Sequence, residues 1–162
     1  MIQLETARFG AIEVAEEGVF TFPMGLLGFA RHKRYAIVDH REDSPFKWLQ
    51  SLDDGDLAFI ITDPLFFKAD YQVQVRKADL RAIDAVDEDD LIVSVIMTVP
   101  ENPRDMTANL LAPLIFNMAN RQGMQLVLTD QRYPVKYPVL RQGAPSGPPR
   151  PGGPEPKSIS LR

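Results

Sequence analysis

The side chains of this chain best equipped for chemistry are two histidines, His32 and His40, a run of carboxylates at Asp53, Asp54, Asp56 and Asp63, and a second acidic run from Asp84 to Asp90. Imidazoles can ligate zinc or move protons near neutral pH, and convergent carboxylates can form an acid/base pair or hold calcium. The spacings argue against each use. The histidines lie eight positions apart, with no H-E-x-x-H pattern around them. Asp53-Asp54-Gly55-Asp56 lacks the alternating oxygen ligands and closing glutamate of a calcium loop, and reads instead as a tight acidic turn. No serine stands in G-x-S-x-G, no glycine loop precedes Lys-Ser or Lys-Thr, and there is no cysteine. Nucleophilic, nucleotide-binding and thiolate-metal chemistry therefore lose their usual signatures, and we expect no enzyme, no metal and no cofactor.

Recognition is the better use of these side chains. Met106 to Asn117 sets Thr107, Asn109 and Asn117 inside an apolar run, and Pro113 within it cannot donate to a ladder. That combination predicts one strand at a sheet edge or with a bulge, its polar groups available to a partner. Charge points the same way. Of the net −4, residues 141–162 contribute +3, so the first 140 residues carry −7. An acidic body repels nucleic acid and attracts basic proteins. We expect Asp53, Asp54 and Asp56 to favour a basic partner electrostatically, with Thr107, Asn109 and Asn117 supplying directed hydrogen bonds.

The elements that position these groups are mostly strands. Alternating Ile2, Leu4, Ile12 and Val14 flank Phe9-Gly10 as an opening hairpin, and Val19–Phe22, Arg34–Asp39, Phe46–Leu52 and Leu57–Thr62 follow. Tyr71, Val73 and Val75 alternate again. Leu91 to Val99 is the most regular strand, and Ile92 and Ile96 on its second face place it mid-sheet. Asn120 to Gly123 reads as a turn into a last strand over Met124–Leu128. Helix is confined to Ala78–Ile83, followed by five acids in seven residues that solvate its end. The expected architecture is a mainly β, small antiparallel β-barrel-like single domain over residues 1–140, with one or two short helices. Residues 141–162 read as a disordered Pro/Gly-rich C-terminal tail, with six of the 14 prolines and P-x-x-P spacings at Pro148–Pro151 and Pro151–Pro154.

Two apolar features need a place. Trp48 sits among Phe46, Leu49 and Leu52 and reads as a core anchor ahead of an interface hot spot. Phe22 to Phe29 is too apolar for a solvated loop, and with Gly25 and Gly28 it must fold over the core or meet a partner. The longest apolar stretches fall short of the roughly 18 residues of a spanning helix, and no run resembles a signal peptide, so a soluble cytoplasmic protein is expected.

Several of these runs together resemble the flagellar assembly factor FliW family. They are Phe22-Pro23-x-Gly25-Leu26-x-Gly28-Phe29, Trp48-Leu49-Gln50-Ser51, Leu57-Ala58-Phe59 leading to Thr62-Asp63-Pro64, Met106 to Pro113, and Arg132-Tyr133-Pro134-Val135. Their order and spacing cover residues 1 to about 139, with Leu27 standing where family members usually have proline and the tail without counterpart. The resemblance implies a non-enzymatic, barrel-like protein that binds the translational regulator CsrA and binds flagellin. Secretion of flagellin would then free it to antagonise CsrA and release flagellin mRNA for translation. A cytoplasmic chaperone that holds flagellin without touching CsrA is the rival reading; direct contact with nucleic acid or membrane is not expected.

Overall fold

The computed structural model describes residues 2–39, 44–129, 132–140 and 159–161. Along it run strands β1 (Ile2–Thr6), β2 (Gly10–Val14), β3 (Val19–Thr21), β4 (Arg34–Asp39), β5 (Lys47–Ser51), β6 (Ala58–Thr62) and β7 (Val73–Val75). Helix α1 (Lys77–Ala82) follows, then β8 (Leu91–Thr98), β9 (Thr107–Ala108), β10 (Leu114–Asn117), β11 (Gln122–Gln125), β12 (Tyr137–Pro138) and β13 (Ile159–Leu161). The strands hydrogen-bond in the order β10-β11-β3-β4-β5-β6-β8, and β10 pairs back onto β8. Seven strands thus close a barrel, which leaves none of their edges open.

Side-chain alternation divides the apolar residues into two cores. Phe20, Phe22, Leu26, Tyr35, Leu49, Ile61, Leu114 and Phe116 fill the barrel, joined by Ile96. The opposite face of β8, through Leu91, Val93, Val95 and Met97, packs outside it against Val73, Val75, Ile83, Leu126, Tyr133 and Val139. One face of β8 is thus buried along the whole strand, while on the other Ser94 and Ile96 are half-buried and Ile92 and Thr98 are exposed. Burial of each such large side chain stabilises the fold by roughly 1.5–3 kcal/mol.

α1 lies within a residue of its expected span, and its first turn is closed by the Arg76 N–H, which donates to Asp79 Oδ2 at 2.8 Å. The opening hairpin also forms, with Ile2 opposite Val14 and Thr6 opposite Gly10. It folds across β5: the Phe9 ring meets Trp48 edge-on at 5.8 Å, and the Arg8 guanidinium lies 4.1 Å from the centre of the indole. Trp48 is buried beneath this cover, in keeping with a core anchor.

The structure corrects four expectations. Met106 to Asn117 is two strands, because Asn109 Oδ1 accepts the Ala112 N–H at 3.0 Å and Pro113 ends the turn so formed. Nor is β10 an edge, since it pairs with β11 on one side and β8 on the other. The last barrel strand begins at Gln122, two residues before Met124, with Gly123 inside it. The sheet is not wholly antiparallel either: β11 meets β3 in parallel through Gln122 and Thr21. Of the tail, residues 141–158 and Arg162 lie outside the described residues, while Ile159–Leu161 runs as a strand parallel to β7.

Candidate functional site

The acidic turn between β5 and β6 is built by its neighbours. Ser51 Oγ accepts the N–H groups of Asp53 and Asp54 at 3.1 and 3.0 Å, and Asp54 Oδ1 accepts the Asp56 N–H at 2.9 Å. Gln50, fully buried, donates through Nε2 to the carbonyls of Ser51, Gly55 and Leu57. Gly55 sits against β1, where an added Cβ would lie 2.2 Å from the Glu5 carbonyl oxygen. The Ala7 N–H donates to the Gly55 carbonyl at 3.1 Å. The turn is held from inside the barrel and from the hairpin that covers it.

Asp53 is the most constrained of its acids. Its Oδ2 accepts the backbone N–H groups of Lys33 and Arg34 at 2.7 and 3.1 Å, and its Oδ1 lies 3.4 Å from the Arg34 guanidinium. Burial opposes its ionisation, yet the two backbone donors and Arg34 outweigh that cost and hold the carboxyl below its usual range. Asp53 thereby stitches the start of β4 to the end of β5, while Asp56 is exposed and Asp54 half-buried.

The polar residues of the expected docking strand are dispersed. Thr107 lies on β9 opposite Thr98 and Pro138, half-buried. Asn109 is half-buried and closes the turn described above. Asn117 is 1% exposed, with Nδ2 donating to the Ile83 carbonyl at 3.0 Å and Oδ1 accepting the Ala119 N–H at 3.0 Å. Its polar groups tie β10 to the end of α1 and are inaccessible without opening the fold.

The Phe22–Phe29 loop does fold inward. Phe22 and Leu26 are buried in the barrel core, with Phe22 edge-on to both Tyr35 and Phe116. Gly25, at φ +67°, allows the return, since a Cβ there would stand 2.7 Å from the Ala30 Cα. Met24 and Leu27 remain outside, 77% and 58% exposed. This exposed apolar pair was hidden in the sequence by the regularity of its apolar run; only the two glycines hinted that the loop turns and splits its side chains between core and surface.

Among the described residues no group of three His, Cys, Asp or Glu side chains could hold a metal ion. His40 lies outside the described residues. No described helix is long and apolar enough to cross a membrane.

Comparison with known proteins agrees with this architecture. The family model described as FliW protein matches residues 3–139. The chain is 41% identical over 140 residues to a flagellar assembly factor FliW of Alkaliphilus metalliredigens, covering 86% of each chain. It is 39% identical over 142 residues to that of Caldanaerobacter subterraneus, covering 87% of this chain and 95% of the relative. A crystal structure of the flagellar assembly factor FliW superposes with a TM-score of 0.80 at 29% identity, covering 88% of this chain and 99% of that one.

Proposed function

The chain belongs to the FliW family of flagellar assembly factors, and from that premise we propose that it acts as a cytoplasmic protein-binding regulator. It binds CsrA, antagonises CsrA's repression of flagellin mRNA, and exchanges CsrA for flagellin in a partner switch. It works by binding, without catalysis. The observation that carries this reading is the acidic turn Asp53–Asp56, strapped in place on a body of net charge −7. A regulator that grips RNA phosphates presents basic surface, and an acidic, preorganised turn is complementary to it. Asp56 and Asp54 supply the field, Asp53 fixes its geometry, and Thr107 and Asn109 offer hydrogen bonds at the neighbouring end of the sheet.

Calorimetric titration of the purified protein with CsrA from the same cell, with and without equimolar flagellin, tests the reading. Saturable binding to CsrA that flagellin abolishes is the expected result. Absence of heat with CsrA alongside saturable heat with flagellin would leave a flagellin-holding chaperone and overturn the regulatory role.

A further inference from the structure

Among the described residues β7 has one strand partner, and it comes from the far end of the sequence. Val73, Gln74 and Val75 stand in parallel register with Ile159, Ser160 and Leu161. Among the described residues these two strands form a sheet of their own, separate from the barrel. One face of β7 is fixed, because Val73 and Val75 are fully buried in the outer core. Its other face is wet: Gln72, Gln74 and Arg76 line a cavity of about 320 Å³ whose far wall includes Leu126, Thr129 and Tyr133. The backbone edge of β7 that pairs with Ile159–Leu161 thus serves as a template for a second strand.

We propose that β7 is a strand-accepting edge and that Ile159–Leu161 is its resident ligand, donated in cis. The family match ends at residue 139, and the crystal structure of a relative is 99% covered by 88% of this chain. The strand that occupies β7 thus lies beyond the shared body. A three-residue parallel pairing is weak by itself, since isolated two-stranded ladders are marginal in water. Tethering changes that balance. Only residues 141–158 separate β13 from Leu140, and Val139 belongs to the same apolar cluster as Val73 and Val75. The tether therefore starts on the same apolar cluster that buries its docking strand, and a short connection of this kind raises the local concentration of the segment to the millimolar range. A segment of another protein that adds as an extended strand to this same edge of β7 must displace it, so the tail lowers the apparent affinity of that edge in the full chain. This inference stands independently of the CsrA and flagellin reading.

Hydrogen exchange of the full chain, followed at the amides of residues 73–75, tests it without any partner. The comparison variant carries Ile159→Pro together with Ser160→Pro; adjacent prolines remove whichever of two alternating N–H groups faces β7. The expected result is exchange within 73–75 at least about threefold faster in the variant, with barrel amides unchanged and protection recovered when a synthetic peptide of residues 155–162 is added in excess. Equal exchange in both proteins would overturn the proposal. So would protection in the unmodified chain that falls on dilution, because the strand would then be donated by a second copy.

Discussion

Gly123 of β11 lies directly beneath the ring of Phe22, so close that a Cβ there would stand 2.6 Å from Phe22 Cζ and 2.9 Å from both Cε atoms. The glycine is a seat for the aromatic plug of the barrel, which also rests edge-on against Tyr35 and Phe116. Gly123→Ala is expected to destabilise the protein by about 1–3 kcal/mol through overpacking. Phe22→Leu in the same chain should recover part of that loss, and a double-mutant cycle by thermal or urea unfolding measures the coupling. Simple additivity of the two changes would remove the contact from the argument.

Gly55→Ala tests the strap between the acidic turn and the opening hairpin. The new Cβ would collide with the Glu5 carbonyl, and the backbone on neither side can swing away as a flexible side chain would. The hairpin should lift from β5, uncovering Trp48 where Arg8 and Phe9 now cover it. A red shift of tryptophan emission is the expected sign, readable because Trp48 is the sole tryptophan; an unshifted spectrum would place the hairpin's hold elsewhere.

Acid sensitivity should depend on Asp53. Its folded pKa is lowered, so its contribution is complete above the ordinary carboxylate range, about pH 4, and is lost as pH falls through the lowered folded value. Asp53→Asn should therefore be less stable than the parent at neutral pH and should flatten the stability profile below about pH 4. Unfolding midpoints in urea across pH 2–7 decide it.

Two buried tyrosines should respond in opposite senses to loss of the hydroxyl. Tyr71 Oη donates to the Leu110 carbonyl at 2.7 Å, whereas Tyr35 Oη finds no partner among the described residues. Tyr71→Phe should cost about 1–2 kcal/mol by orphaning a buried carbonyl, while Tyr35→Phe should be neutral or slightly stabilising. Burial, with Asp53 adding to it, pushes the Tyr35 pKa up to about 12. Its stabilising preference for the neutral form is complete below about 10 and lost as pH rises through about 12. Tyr35→Phe should accordingly retain more stability in that alkaline window.

Asn117 and Asp56 separate structure from recognition. Asn117→Ala empties a buried pair of hydrogen bonds and should lower stability by about 1–3 kcal/mol. Asp56→Lys changes an exposed charge and should leave the unfolding midpoint nearly unchanged while slowing association with a basic partner, most visibly at low salt. Stopped-flow association beside thermal unfolding measures both; a marked stability loss in Asp56→Lys would assign that residue to the fold.

Alternation along the chain revealed most strands and the fully buried face of β8, because period-two burial is a local signal. What stayed hidden depends on distant partners. Asp53 looks like a solvated turn acid, yet its ligands, the Lys33 and Arg34 N–H groups, lie about twenty residues away. Gly123 reads as turn punctuation because nothing near it in sequence indicates the Phe22 ring. Phe9 likewise reads as a hairpin-tip residue, and the contact that it and Arg8 make with Trp48 depends on where the hairpin comes to rest. Pro113 did signal an interruption, but the chain answers it by splitting one expected strand into two, with Asn109 turning the corner.

The barrel's circumference has one narrow joint. Between β3 and β11 the ladder amounts to the register pair Thr21 and Gln122, with the Thr21 N–H donating to the Arg121 carbonyl at 2.9 Å and the Arg121 guanidinium reaching the Glu17 carbonyl. Every other neighbouring pair in the ring shares at least three registers. A hoop parts at its thinnest weld: the molecule's slow breathing should unroll it there into a trough, with Phe20 and Phe22 the first interior side chains to meet water.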